Sequence, residues 1–130
     1  MQNELRFVSV ALDCADPDEL SRFYQRLLGA TVLWASDDSV GLRLPGSGVV
    51  IQLMRVDDHR PPTWPDSTVP KQMHLDLTAG VELDGPETWA VELGAQRVHH
   101  QPDPQRWRVL LDPAGHPFCI TTVTPPDGPR

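Results

Sequence analysis

Residues 5–30 read Leu5-Arg6-Phe7-Val8-Ser9-Val10-Ala11-Leu12-Asp13-Cys14-Ala15-Asp16-Pro17-Asp18-Glu19-Leu20-Ser21-Arg22-Phe23-Tyr24-Gln25-Arg26-Leu27-Leu28-Gly29-Ala30. Val8, Val10 and Leu12 alternate with Ser9, Ala11 and Asp13, a period of two that predicts a strand with unlike faces over residues 5–14. Asp16-Pro17-Asp18-Glu19 then supplies a carboxylate at the helix cap, a proline at the first helical position and a glutamate at the third, where it reaches back towards the cap. Leu20, Phe23, Tyr24, Leu27 and Leu28 recur at i, i+3, i+4, i+7 and i+8, so the helix carries one apolar stripe. Gly29 closes it by taking the left-handed backbone conformation.

Downstream, β-like runs at 30–36, 39–44 and 48–54 are separated by the turn residues Asp37-Asp38 and Pro45-Gly46-Ser47-Gly48. The first half therefore reads β-α-β-β-β. Residues 55–70 hold Pro61, Pro62, Pro65 and Pro70 without periodicity and predict a stiff connector. The pattern then restarts. Gln72-Met73-His74-Leu75-Asp76-Leu77-Thr78 alternates as a strand, Asp84-Gly85-Pro86-Glu87 repeats the cap, and Trp89, Ala90 and Leu93 mark a helix closed by Gly94. Strands at 95–100, 106–111 and 117–123 follow, the last two joined by Asp112-Pro113-Ala114-Gly115. Leu28-Gly29-Ala30 and Leu93-Gly94-Ala95 are identical tripeptides 65 residues apart, and the same offset aligns Ser9 with His74, Leu12 with Leu77, and Tyr24 with Trp89. The expected architecture is α+β: two βαβββ modules, residues 5–54 and 71–124, on either side of the connector 55–70, forming one domain over 1–130.

Composition narrows the function classes. The 130 residues are 39% hydrophobic and 22% charged, too apolar for a disordered polymer. Eleven Lys+Arg against 18 Asp+Glu give a net charge of -7, with no basic stretch, which disfavours nucleic acid and anionic membranes as partners. No apolar run approaches the length of a membrane span and Met1-Gln2-Asn3-Glu4 lacks the features of a secretion signal, so a cytoplasmic location is expected. Cys14 and Cys119 are expected as buried thiols, not a bridge.

Three segments carry a resemblance to a known group: residues 10–17 leading into the helix that ends Leu27-Leu28-Gly29, Gln72-Met73-His74-Leu75-Asp76-Leu77, and residues 107–119 around Asp112-Pro113-Ala114-Gly115. In this order they resemble the vicinal oxygen chelate superfamily, the glyoxalase, bleomycin-resistance and ring-cleaving dioxygenase group. The resemblance implies two modules whose sheets pair around a concave cleft, commonly in a homodimer. It also implies metal-ligand positions on the first and fourth strands of each module, which carry Ser9, Gln52, His74 and Cys119. Only His74 is a good ligand for a hard or borderline divalent ion. Gln52 is a weak donor and Cys119 suits zinc as a thiolate, so no metal or other cofactor is expected.

Strand parity places Ala11 and Asp13 with Ser9, Val50 and Met54 with Gln52, Gln72 and Asp76 with His74, and Pro117 and Thr121 with Cys119. Ser9, Asp13, Gln52, Met54, His74, Asp76 and Cys119 are thus the candidate cleft residues; Asp13 and Asp76, near strand ends, read first as caps of neighbouring backbone N–H groups and second as ligand contacts, and His74 reads as a pocket residue or a core histidine. The adjacent His99 and His100 point to opposite faces, His116 belongs to a turn, and His59 to the connector. Trp64 is expected to anchor the connector, and Trp34 and Trp107 to lie in a core or a pocket wall. The leading expectation is a protein that binds a small, preferably cationic, organic molecule without a complete metal site. Its alternatives are a metal-dependent lyase, isomerase or dioxygenase-like enzyme using His74 with Gln52 and Cys119, metal-free proton transfer by His74 or Asp76, and a purely structural role.

Overall fold

The alternation in residues 9–14 is realised as strand β1 (Ser9–Cys14) in a computed structural model of the chain, which describes residues 5–122. The chain divides into two compact units, Met1–His59 and Arg60–Arg130. In the first, β1 is followed by α1 (Pro17–Leu28), β2 (Thr31–Ala35), β3 (Ser39–Arg43) and β4 (Val50–Arg55). The sheet order is β1-β4-β3-β2, with β1 and β4 parallel and the other pairs antiparallel. In the second, β5 (Leu75–Thr78), α2 (Asp84–Leu93), β6 (Gln96–Arg97), β7 (Trp107–Leu111) and β8 (Pro117–Thr121) give the order β5-β8-β7-β6 with the same pattern of directions. Two four-stranded sheets and two helices make the chain α+β.

One face of each sheet builds the core. In the first unit Leu12, Cys14, Val40, Leu42, Ile51 and Leu53 are buried together with Leu20, Phe23 and Tyr24 of α1. The Phe23 and Tyr24 rings meet edge to face at 5.0 Å. In the second unit Leu110, Phe118 and Ile120 are buried with Leu83, Ala90 and Ala95, while Val109, also buried, points to the opposite face. Removing side chains of this size from water is worth about 1.5–3 kcal/mol each.

The two helices start differently. Asp16 caps α1 as the sequence predicts, its Oδ1 accepting the N–H groups of Asp18 at 3.1 Å and Glu19 at 3.3 Å, and Gly29 ends the helix at φ 67°. Asp84 does not cap α2. The cap position is Leu83, without a side-chain bond, and Glu82 Oε2 instead accepts the Gly85 N–H at 3.1 Å. The physical reason is an ion-pair network. Arg108 Nη1 lies 2.9 Å from Asp84 Oδ1 and 3.0 Å from Glu87 Oε2, and Arg97 Nε donates to Glu87 Oε1 at 2.6 Å. Both carboxylates are committed to arginines that tie α2 to β6 and β7.

Other expected boundaries also shift. The strand expected over 72–78 begins at Leu75, and the one expected over 95–100 is only Gln96–Arg97. The Val98 N–H still donates to the Val109 carbonyl at 3.2 Å, and beyond it the Gln101 side chain takes over: Nε2 donates to the Val98 carbonyl at 2.7 Å and the Val109 carbonyl at 2.8 Å, and Oε1 accepts the Val109 N–H at 2.9 Å. The end of the strand expected over 117–123 lies outside the described residues. From Arg60 onward the connector belongs to the second unit. Thr63 and Val69 close it through two bonds, Thr63 N–H to the Val69 carbonyl at 2.7 Å and Val69 N–H to Thr63 Oγ1 at 3.0 Å. Asp66 Oδ1 accepts the Thr68 N–H at 3.0 Å, which holds that carboxyl below its usual range. Pro61 packs where a Cβ on Gly115, at φ +90°, would come within 2.5 Å of the proline Cβ, so the turn after β7 admits only glycine.

Candidate functional site

The face of the second sheet turned away from its core holds the most chemistry. β5 and β8 are parallel and in register with Asp76 opposite Cys119. His74 immediately precedes β5, and its Nε2 lies 3.3 Å from Asp76 Oδ1. Lys71 Nζ approaches Nδ1 of the same ring at 3.5 Å. This arrangement suits the neutral tautomer that donates from Nε2 to the carboxylate and accepts from lysine at Nδ1. One ligating atom from each of His74, Asp76 and Cys119 falls within 4.8 Å of the other two. Cys119 is a free, half-buried thiol; burial pushes its pKa up, the Asp76 charge adds to the rise, and Lys71 opposes it.

These groups sit in a cavity of about 620 Å³. Trp64, Trp107, Val109, Pro102 and Pro117 form apolar walls, and Lys71, His74, Asp76, Cys119 and Thr121 supply polar groups. Strand parity therefore finds Asp76, Pro117 and Thr121. It fails for Gln72, which does not line the cavity, while Lys71 does. Parity holds only within a strand, and residues 71–74 precede β5. A lysine three residues before a histidine was the signal available. His74 is exposed, so it is not a core histidine, and Asp76 pairs with it. Trp64 lines the cavity as well as packing on His100, with ring centroids 5.5 Å apart.

The corresponding face of the first sheet is less reactive. Ser9 and Gln52 are brought together, Gln52 Nε2 donating to Ser9 Oγ at 2.9 Å. Asp13 and Met54 are register partners one step further along. Val10 is half-buried and Leu12 and Cys14 are buried; Cys14 Sγ donates to the Met54 carbonyl at 3.6 Å. Cys119, only half-buried, departs from the expected buried thiol. A bulge at Leu33 in β2 places Trp34 opposite Gly41, where its ring occupies the space of the missing side chain and its Nε1 donates to Ser39 Oγ at 3.0 Å. No residue pattern in 30–36 signals that bulge. His116 takes part in the turn as expected, its N–H and that of Ala114 bonding to the buried carboxylate of Asp112.

Tested against a divalent ion, the two faces differ. Ser9 and Gln52 are weak donors already bonded to each other. His74, Asp76 and Cys119 offer an imidazole, a carboxylate and a thiol close together, a donor set that fits a borderline ion such as zinc.

The fold is that of several solved structures. FosX, the fosfomycin resistance protein of Listeria monocytogenes, in complex with Mn(II) and 1S,2S-dihydroxypropylphosphonic acid, is 19% identical, with 95% of this chain and 93% of that chain covered at a TM-score of 0.68. FosX of Mesorhizobium loti is 18% identical over 95% and 94% of the two chains, with a TM-score of 0.62. A glyoxalase-related enzyme from Fulvimarina pelagi is 18% identical over 89% and 86%, with a TM-score of 0.66. No curated protein matches the chain. The family model described as glyoxalase-like domain matches residues 9–121, from the start of β1 to the end of β8. The chain therefore belongs to the glyoxalase-like domain family, within the vicinal oxygen chelate superfamily.

Proposed function

We propose that the chain binds a small organic molecule in the cavity of the second sheet. The observation that carries this reading is the cavity itself: about 620 Å³, with two indoles and a few convergent polar groups, the size and mix that suit a small ligand. The indoles of Trp64 and Trp107 favour a ligand with a flat apolar part, and the net charge of -7 favours the approach of a cation. FosX of Listeria monocytogenes, with its phosphonic acid and Mn(II), is a precedent for small-molecule binding on this fold. A thermal-shift screen of cationic, neutral and anionic aromatic compounds tests it. Stabilisation by a cationic compound that is lost in Trp107→Ala is the expected result. Failure of every compound to stabilise the protein, or equal stabilisation of the variant, overturns it.

The same reading includes a homodimer and a cytoplasmic location. Leu5, Phe7 and Val8 are 89%, 71% and 65% exposed next to edge strand β1, apolar surface that a second copy would cover. Sedimentation velocity that finds only monomers at tens of micromolar protein would remove the dimer. Two cysteines that are not bridged to each other fit a reducing compartment. Among the described residues no helix is long and apolar enough to cross a membrane.

A further inference from the structure

We infer that the cavity of the second unit is specific for an aromatic ligand carrying both an ammonium and a carboxylate, an amino-acid-like zwitterion, with Lys71 receiving the carboxylate and Asp76 the ammonium. The proposal deepens the small-molecule reading and rests on the same cavity: it keeps the cationic group and adds an anionic one. Among the lining residues Lys71 brings a positive charge and Asp76 a negative one. Cys119 adds none, since burial and the Asp76 charge both hold it as a thiol. With the His74 imidazole neutral, the cavity is balanced in charge within a chain whose net charge is -7. Its cation is Lys71, the only lysine in the sequence.

The two charges are bonded to opposite sides of one ring. The His74 imidazole accepts from Lys71 Nζ at Nδ1 over 3.5 Å and donates from Nε2 to Asp76 Oδ1 over 3.3 Å. An ammonium has about three donors and a carboxylate about four acceptor positions, so each keeps hydrogen-bonding capacity for a ligand after its bond to the ring. The Asp76 side chain is 68% exposed and open to such a ligand. With one imidazole between them the two groups lie no more than about 9 Å apart. Ligand charges about 3–4 Å apart, the spacing of an ammonium and a carboxylate on one carbon, can therefore reach both through hydrogen bonds of about 2.8 Å. A singly charged ligand satisfies one group and is repelled by the other. Trp64 and Trp107 stand as apolar walls for the aromatic part. The first sheet has Ala11 at the register position of Asp76, so it lacks the acidic half of the pair.

Three compounds that share a phenyl ring and a side-chain length test this on the full-length protein at neutral pH: L-phenylalanine, phenethylamine and 3-phenylpropionate, each titrated against the tryptophan fluorescence. Phenylalanine should bind about tenfold or more tightly than either singly charged analogue, the gain expected from one added charge-assisted hydrogen bond. Lys71→Met should erase the advantage over phenethylamine and strengthen phenethylamine binding, because the repelling charge is gone. Asp76→Asn should do the same for 3-phenylpropionate. Lys71→Arg, which keeps the charge, should retain a preference for phenylalanine over phenethylamine. Circular dichroism of each variant separates loss of a contact from loss of fold. Either analogue binding as tightly as phenylalanine, or an advantage that survives in the variant meant to erase it, overturns the proposal. If phenethylamine binds and the carboxylate adds nothing, this proposal fails while the reading of a cation-binding cavity stands. If none of the three binds, the proposal fails, and the wider thermal-shift screen still decides the small-molecule reading.

Discussion

In the first unit Gln52, at the third position of β4, is flanked by Ala11 and Gly41; in the second its counterpart Cys119 is flanked by Asp76 and Val109. Ser9 and His74 stand at the next equivalent place. Strand order, direction and register are the same, yet one face carries a hydroxyl and an amide bonded to each other and the other carries an imidazole, a carboxylate and a thiol. Backbone pairing decides which positions meet. Three side chains at those positions decide whether the meeting can do chemistry.

The comparison can be broken at several levels. Ile51 and Phe118 hold equivalent register positions in the two cores, opposite Leu42 and Leu110. Phe118→Ala should cost about 3–5 kcal/mol and Ile51→Ala about 2–5 kcal/mol. Urea unfolding measures both, and losses below about 1 kcal/mol would mean that the buried faces are not equivalent. The ion pairs are unequal between units. Glu87→Gln, which leaves Arg97 and Arg108 short of a partner, should cost about 1–3 kcal/mol. Asp38→Asn should be within about 0.5 kcal/mol, because the Arg55–Asp38 pair is long and exposed at 3.9 Å. Equal effects would remove the distinction. Gly41→Ala should push the Trp34 ring aside and cost about 1–3 kcal/mol, read jointly by unfolding and by a change in tryptophan fluorescence. Asp16→Ala should lose about 1 kcal/mol with its cap, whereas Asp84→Ala should lose about 0.5 kcal/mol or less in thermal melts.

The smallest effect concerns the thiol. In metal-free protein, burial and Asp76 favour the protonated form of Cys119, so iodoacetamide labelling should rise with pH along a curve displaced upward from that of a free cysteine. A downward displacement would show that Lys71 dominates the local field.

Strand alternation, the Asp16 cap, the apolar stripe of α1 and the 65-residue repeat are local patterns, and they were sufficient for two βαβββ halves. Of the seven candidate residues six lie within strands and His74 precedes β5; the structure brings Ser9 beside Gln52 and His74 beside Asp76 and Cys119. What escaped the sequence is non-local. Asp84 looks like a cap until Arg108, 24 positions later, claims it, and Gln101 looks like a loop residue until it substitutes for a stretch of strand. Lys71 and Trp64 reach the cavity from irregular backbone, where no period exists to read.

The indole of Trp34, lying where Gly41 has no side chain, acts on the first sheet as a resident ligand. The wall position that in the second sheet is Val109, bordering an open cavity, is here covered by the chain itself. For protein engineering, Trp34→Ala is thus the shortest route to a second receptor on this scaffold: it uncovers a recess floored by Gly41 and edged by the Ser9–Gln52 pair. That recess would present hydrogen-bonding groups without an ionisable side chain at the three matched positions, so the two recesses could be tuned to different guests in a single polypeptide.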